Sequence, residues 1–213
     1  MSTQSLKGKK AMVIGGSRGI GAAVVKRLAR EGAAVAFTYV SSRAAAEALA
    51  TSIEDAGGHA TALHADSADA QALDVAVDRA AEALGGLDVL VNNAGILIHG
   101  NVADYSLADF DKMIAVNVRG VFVAAKAAAR HLPPGGKMIV IGSNTARRAM
   151  VPGAAVYGMT KAAVARLVQG LALDFAEKKI AVIDVQPGPT ATDMAPKDEA
   201  RRAWLANASP EKR

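Results

Sequence analysis

Tyr157 and Lys161 stand four residues apart in the segment Tyr157-Gly158-Met159-Thr160-Lys161. On a helix that spacing puts both on one face. A free phenol, with a pKa of about 10, is a poor base at neutral pH. A nearby ammonium favours the phenolate and lowers that pKa. Such a tyrosine can act as general acid or base toward an alcohol or carbonyl oxygen, an effect of roughly 10²–10⁴-fold. Alone, the pair is common by chance and reads as structural. Its company gives it weight: Ser143 follows one apolar strand-like run, and Asn92, Asn93 and Gly95 follow another. Asn117 is a lone amide in an apolar helical stretch. A buried amide needs partners, so it either bonds to backbone and bends the helix or holds a water.

A second chemistry lies near the N-terminus, where a short apolar run enters Gly15-Gly16-Ser17-Arg18-Gly19-Ile20-Gly21 and a helix begins. A glycine-rich strand-to-helix turn admits a pyrophosphate to the backbone, and the helix N-terminus offers free N–H groups and a positive dipole end. The spacing is G-x-x-x-G-x-G rather than G-x-G-x-x-G. Its position after the first strand of a βα series points to a dinucleotide. Sites for NAD place an acidic residue roughly 20 positions on, for the ribose 2′-hydroxyl. Here the second strand ends Tyr39-Val40-Ser41-Ser42-Arg43 with no acid. Arg18 and Arg43 are the nearby cations and the serines can donate hydrogen bonds, so a 2′-phosphate and hence NADP(H) is expected.

These residues need elements to hold them. Apolar runs at 11–14, 33–39, 60–63, 87–91, 137–141 and 180–185 alternate with helical periodicities at 20–31, 44–56, 68–84, 107–131 and 156–177. The runs are continuous rather than alternating, the pattern of a parallel sheet buried on both faces. The prediction is a doubly wound α/β fold with strand order 3-2-1-4-5-6. No linker, repeat or low-complexity segment divides the chain. Residues 1–213 therefore read as one dinucleotide-binding and catalytic domain.

Composition sets limits. Apolar residues make up 51% of the chain and aromatics only 4%, so small aliphatic side chains must fill the core. With no cysteine, disulfides, thiolate catalysis and Cys-based zinc sites are ruled out. His59, His64, His99 and His131 show no metal-ligand spacing, and no metal site is expected. The charge of +5 comes from scattered residues without a basic helix, which argues against nucleic acid as a partner. No signal peptide or membrane-length apolar run is present, so a cytoplasmic protein without membrane contact is expected. Residues 162–175 are apolar almost all round. Such a helix is buried on more than one side, and a homo-oligomer, dimer or tetramer, follows as an expectation.

Taken together the motifs resemble a short-chain dehydrogenase/reductase of the compact single-domain branch, near the 3-oxoacyl-carrier-protein reductases. The resemblance rests on Gly15-x-x-x-Gly19-x-Gly21, Asn92-Asn93-Ala94-Gly95, Asn117, Ser143, Tyr157-x-x-x-Lys161, and Pro187-Gly188 followed by Thr190 and Thr192, in family order along nearly the whole chain. It implies a Rossmann fold and NADPH-dependent reduction of a ketone or aldehyde to an alcohol, or the reverse. Tyr157 would be the acid, Ser143 would bind the carbonyl oxygen, Lys161 would hold the nicotinamide ribose and tune Tyr157, and Asn117 would hold a water in a proton relay. Cofactor contacts would come from Gly15, Ser17, Arg18, Gly19, Ile20 and Gly21. Tyr39, Ser41, Ser42, Arg43, Asp66 and Ser67 would follow on the adenosine side. Asn93, Ala94, Gly95, Tyr157, Lys161, Pro187, Gly188, Thr190 and Thr192 would complete the set.

Two departures qualify the resemblance. Ile14 replaces a threonine that braces the Asn-Asn-Ala-Gly turn, so loss of a bracing hydrogen bond is expected. The chain also ends at Arg213, where relatives continue to a seventh strand. The sheet is expected to lack that strand, leaving the sixth as an open edge. Asp198–Leu205 reads as a short polar helix, by resemblance the substrate lid. Arg147 and Arg148 read as solvated loop residues, or as contacts for an anionic substrate. The alternative to a reductase is a non-catalytic, nucleotide-binding regulatory protein that uses the same glycine-rich site.

Overall fold

The computed structural model describes residues 4–149, 151–194 and 198–199. Six strands run parallel in one sheet: β1 (Lys10–Ile14), β2 (Ala34–Tyr39), β3 (His59–His64), β4 (Val89–Asn92), β5 (Lys137–Ile141) and β6 (Ala181–Val185). Their order is β3-β2-β1-β4-β5-β6, as expected from the alternation of elements. The reversal point lies between β1 and β4. Ligands of such sheets bind outside the carboxyl ends of the strands at that point.

Among the described residues six helices cross between the strands: α1 (Gly19–Arg30), α2 (Arg43–Asp55), α3 (Ala70–Leu84), α4 (Leu107–Ile114), α5 (Gly120–Ala128) and α6 (Ala155–Asp174). On one face α1 and α2 bury Val25, Ala29, Ala46, Leu49 and Ile53 against Val13, Val35, Phe37 and Val91. On the other, α3 and α5 pack Leu73, Val77, Ala80, Ala124 and Ala128 against Met12, Ile14 and Leu90. Val164 and Val168 of α6 meet Val140 and Val121 there. Alanine-rich faces permit this close helix-on-sheet approach and suit the helix itself. Helix ends follow their signals. Asp69 accepts hydrogen bonds from the N–H groups of Gln71 and Ala72 to start α3, and Gly85 in the left-handed region, at φ 68°, ends it.

The stretch read as one helix over 107–131 is one helical path, α4 through α5, with a π turn at Ala115–Arg119. Such turns widen a helix locally and are common at functional positions. Asn117 lies at the centre of this one.

The core is not uniform across the sheet. The central strands β1, β2 and β4 are buried almost end to end. By contrast β6 alternates, with Ile183 and Val185 42% and 43% exposed, and no helix among the described residues covers them. In the single chain helix α6 buries one stripe, Thr160, Lys161, Val164, Val168 and Leu171, while Leu173 is 79% exposed. The lid expected at Asp198–Leu205 falls almost wholly outside the described residues.

Register makes the sheet a platform. Ile14 pairs with Asn92, Asn92 with Val140, and Ile141 with Val185. The chain segments leaving β1, β4, β5 and β6 therefore emerge side by side along one edge.

Candidate active site

The glycine-rich turn leaves β1 with Gly15 at φ 75°, a conformation that favours glycine. A Cβ there would approach Ala94 Cα to 2.9 Å, so glycine is needed for space as well. The Gly15 N–H donates to Thr38 Oγ1 at 2.8 Å, and its carbonyl accepts from Asn93 Nδ2 at 2.7 Å. The N–H of Asn93 donates to the Ile14 carbonyl at 3.1 Å. A side chain at Gly21 would overlap the Gly15 carbonyl and crowd the Asn93 amide. The turn after β4 is thus tied to the glycine loop by main chain and by Asn93 itself. The bracing loss expected at Ile14 is made good, because these bonds need no hydroxyl at position 14.

Helix α1 opens beside this knot. Its N-cap residue Arg18 provides no side-chain hydrogen bond, and its first turn carries no acid. The N–H groups there keep their capacity for an anion. Gly19, at φ 54°, lies next to Thr192, whose Cβ would be 3.5 Å from a glycine side chain. Thr192 and the loop after β6 therefore sit over the glycine turn. Thr190 Oγ1 donates to the Gly188 carbonyl at 3.0 Å, and the Asn144 N–H donates to the Pro187 carbonyl at 3.0 Å, linking that loop to the end of β5.

At the end of β2, the Tyr39 ring meets the His64 ring edge-on at 5.5 Å. Ser41 and Arg43 are exposed and Ser42 is half-buried. Arg43 Nε donates to Glu47 Oε1 at 2.7 Å, one turn along α2. Asp66 is exposed, and its Oδ1 accepts from the Ala68 N–H at 2.8 Å. Ser67 is buried, its main chain held against Gly120.

The four polar residues singled out in the sequence converge. Lys161 is 6% exposed and its Nζ donates to the Ile141 carbonyl at 2.9 Å. The same ammonium lies 5.8 Å from the centre of the Tyr157 ring and would be 3.5 Å from a side chain at Gly95. Ser143, at the end of β5, lies close enough to Tyr157 to lower the phenol's pKa. Its Oγ accepts from Thr145 Oγ1 at 2.8 Å and from the Thr145 N–H at 3.2 Å. Asn117 is fully buried. Its Oδ1 accepts from the Ile96 N–H at 2.8 Å, and its Nδ2 donates to the Ile96 carbonyl at 2.9 Å and to Thr160 Oγ1 at 3.1 Å. The bonds to backbone that the sequence offered as one outcome for this amide are present. Both amide protons are used within the protein, so the side chain donates nothing to a relay water. It fixes the main chain just past Gly95 and accompanies the π turn.

Electrostatics around the pair differ from the simple expectation. Burial pushes the Tyr157 phenol above its usual value, and the nearby Ser143 offsets this in part. The expected lowering by Lys161 is not found, because the ammonium is directed to the Ile141 carbonyl and is itself depressed to about 8 by burial. Tyr157 is therefore an acid held protonated at neutral pH, while Lys161 remains mostly charged there.

Several functional neighbours carried no usable sequence signal. Thr160 Oγ1 donates to the Tyr157 carbonyl at 2.8 Å while accepting from Asn117, so it joins two of the predicted residues. It read as one more small residue of a helix. Thr38 holds the glycine turn but read as an ordinary strand threonine. Arg147 and Arg148 are exposed beyond the 3-10 turn Asn144–Ala146. Among the described residues no group of three or more His, Asp or Glu is placed to hold a metal, and no helix is long and apolar enough to cross a membrane.

Known proteins share this arrangement. A versicolorin reductase of Emericella nidulans is 43% identical over 189 residues, covering 89% of this chain and 72% of that protein. The cyclic-di-GMP-binding biofilm dispersal mediator protein of Escherichia coli is 40% identical, over 93% of this chain and 80% of its own length. The crystal structure of a short chain dehydrogenase from Burkholderia cenocepacia in complex with NADP superposes with a TM-score of 0.95 at 49% identity, covering 98% of this chain and 85% of that one. Residues 9–203 match the short chain dehydrogenase family, and the chain belongs to it.

Proposed function

We propose that this family member is an NADPH-dependent carbonyl reductase in which Tyr157 is the proton donor. The observation that carries the reading is the meeting of Ser143, Tyr157 and Lys161 at the carboxyl edge of the sheet, with the phenol held protonated. A ketone or aldehyde oxygen placed between Ser143 Oγ and the Tyr157 hydroxyl would accept hydrogen bonds from both. Tyr157 then gives its proton to that oxygen. The phenolate left behind is favoured by Ser143, which lowers the phenol's pKa.

The residues present fit a phosphorylated dinucleotide. Gly15 and Gly21 admit close backbone approach, α1 offers an uncapped N-terminus, and Gly95 leaves room beside Lys161. NADPH bound there supplies the hydride. Ser17, Arg18, Gly19 and Ile20 would hold its pyrophosphate. Tyr39, Ser41, Ser42 and Arg43 would take the 2′-phosphate side, and Asp66 and Ser67 the adenine side. Asn93, Ala94, Gly95 and Lys161 would flank the nicotinamide ribose, with Pro187, Gly188, Thr190 and Thr192 closing over the rest. Asn117 and Thr160 act as positioning residues. The relatives lend support, since the Burkholderia structure contains NADP and the Emericella protein is named a reductase.

A second reading has one observation in its favour, the name of the Escherichia coli relative. A non-catalytic sensor would bind nucleotide through the glycine loop and leave Tyr157 idle. The complete Ser143–Tyr157–Lys161 set weighs against it.

Tyr157→Phe separates the two. It is expected to lower carbonyl-dependent NADPH oxidation by roughly 10²–10⁴-fold while leaving NADPH binding intact. A panel of ketones, aldehydes and 3-oxoacyl thioesters is the assay. Binding without turnover in both proteins would establish the sensor.

The reductive kcat/KM is expected to hold level up to about pH 8, where Lys161 loses its charge, and to fall above it. Tyr157 stays protonated well beyond that point, so the sign is set by Lys161. A limb that begins only where a free phenol titrates would contradict this assignment.

Arg43→Ala is expected to weaken NADPH roughly tenfold and to leave NADH nearly unchanged, as loss of a charge-assisted phosphate contact requires. Equal effects on both cofactors would remove Arg43 from the 2′-phosphate site.

We also infer a homo-oligomer. Leu107 on α4 and Leu173 on α6 are each 79% exposed, and Phe122 on α5 and Met159 on α6 are nearly half exposed. Water-facing aliphatic side chains on neighbouring helices suit a second copy of the chain. Light scattering is expected to give a dimer or tetramer that Leu173→Glu weakens. A monomer at high protein concentration would refute it.

A further inference from the structure

We propose that Asp184 is a positioning residue for Lys161, a half-buried counter-charge that holds the ammonium in place at the end of β5. The inference deepens the reductase reading and rests on it for the step it affects.

Asp184 stands on β6 opposite Val140, one residue before the pair Ile141 and Val185. Its side chain follows Val182 on the same face of the strand, and Val182 packs against Val121, Val140, Val164 and Val168. That is the face covered by α6, from which Lys161 reaches the Ile141 carbonyl. The carboxylate is seated against Gly142: a side chain there would overlap Oδ1. Gly142 is the single residue between Ile141, which accepts from Lys161, and Ser143. One carboxylate thus lies against the short backbone segment that carries both groups.

Its hydrogen bonding is incomplete in a telling way. Oδ2 accepts from Gln186 Nε2 at 2.7 Å. Oδ1 is buried and has no hydrogen-bond partner. A buried carboxylate oxygen without a partner is costly unless a charge nearby favours it. Lys161 has the complementary problem, an ammonium with three donors, 6% exposed, whose hydrogen bond to protein is the one to Ile141.

The groups facing Lys161 can be named element by element. From α6 itself comes the Tyr157 ring, from the loop after β4 the uncharged Gly95, and from the π turn the amide of Asn117. From β5 comes the Ile141 carbonyl. From β6 comes Asp184, the charge that raises the lysine's pKa against the lowering by burial. The two side chains form no direct salt bridge, so the coupling acts through space between the buried ammonium and the half-buried carboxylate.

The test is Asp184→Asn, which keeps the shape and an acceptor for Gln186 but removes the charge. Carbon-13 NMR of lysine Cε, with the Lys161 signal assigned by its loss in Lys161→Met, reads the titration without any substrate. The Lys161 midpoint is expected near 8 in the parent protein and about one pH unit lower in Asp184→Asn. The alkaline limb of reductive kcat/KM is expected to move down with it, and Asp184→Glu to restore both. An unchanged midpoint in Asp184→Asn overturns the proposal, whatever happens to the rate. A midpoint that moves in a protein without turnover leaves Asp184 as the counter-charge and removes the reductase reading instead. Should the asparagine variant not fold, Asp184→Ser, smaller and also neutral, serves in the same titration.

Discussion

Every strand of this sheet points the same way, and that one constraint places everything else. A parallel strand can be reached only by crossing back over a face, so each βα unit returns the chain to the same starting edge. All carboxyl ends then gather along the opposite edge, and the pairings of Ile14 with Asn92 and of Ile141 with Val185 hold them level. The glycine turn, the Asn-Asn-Ala-Gly turn, Ser143 and the Pro187–Gly188 loop are neighbours for this reason alone. They are separated by up to about 170 residues in the chain. The hydrophobic burial of β1, β2 and β4 stabilises a platform whose chemistry lies entirely in the loops at one end.

Polar groups brought to that end must be satisfied, and the solutions are shared. The Asn93 amide takes the Gly15 carbonyl, Thr38 takes the Gly15 N–H, and Asn117 takes both main-chain groups of Ile96. Leaving a buried group of this kind unmade costs roughly 1–3 kcal/mol. These bonds therefore specify the loop conformations as much as they stabilise them. The π turn at Ala115–Arg119 belongs to the same account. It accompanies Asn117 where that side chain meets Ile96 on one side and Thr160 on the other, so one helical irregularity connects α4, α6 and the loop after β4.

The strand order and the helix alternation were legible because continuous apolar runs and 3.6-residue periodicity are local properties. Ser143, Tyr157 and Lys161 were legible because chemistry restricts their types and the resemblance restricts their order. What failed was the environment. The phenol of Tyr157 was expected to be lowered by Lys161. That sign depends on how deeply each group is buried and on which acceptor the lysine reaches, and spacing along a helix carries neither. Thr160 and Asp184 carried no signal at all: their roles come from neighbours far away in sequence.

If Arg43 takes the 2′-phosphate as proposed, binding of the cofactor sets up a competition within α2. Arg43 faces Glu47 at 2.7 Å, an exposed pair one helical turn apart. Such an exposed pair contributes little and is weakened by salt. A 2′-phosphate carries more charge than a carboxylate and offers three acceptor oxygens to the guanidinium. The arginine can therefore be recruited from Glu47 at small cost, while Glu47 keeps it ordered and discourages anions of lower charge. Arg43 lies at the start of α2, where a helix N-terminus already favours negative charge. Cation and dipole act together there on a doubly charged group, and an NAD ribose, with a hydroxyl in its place, gains from neither.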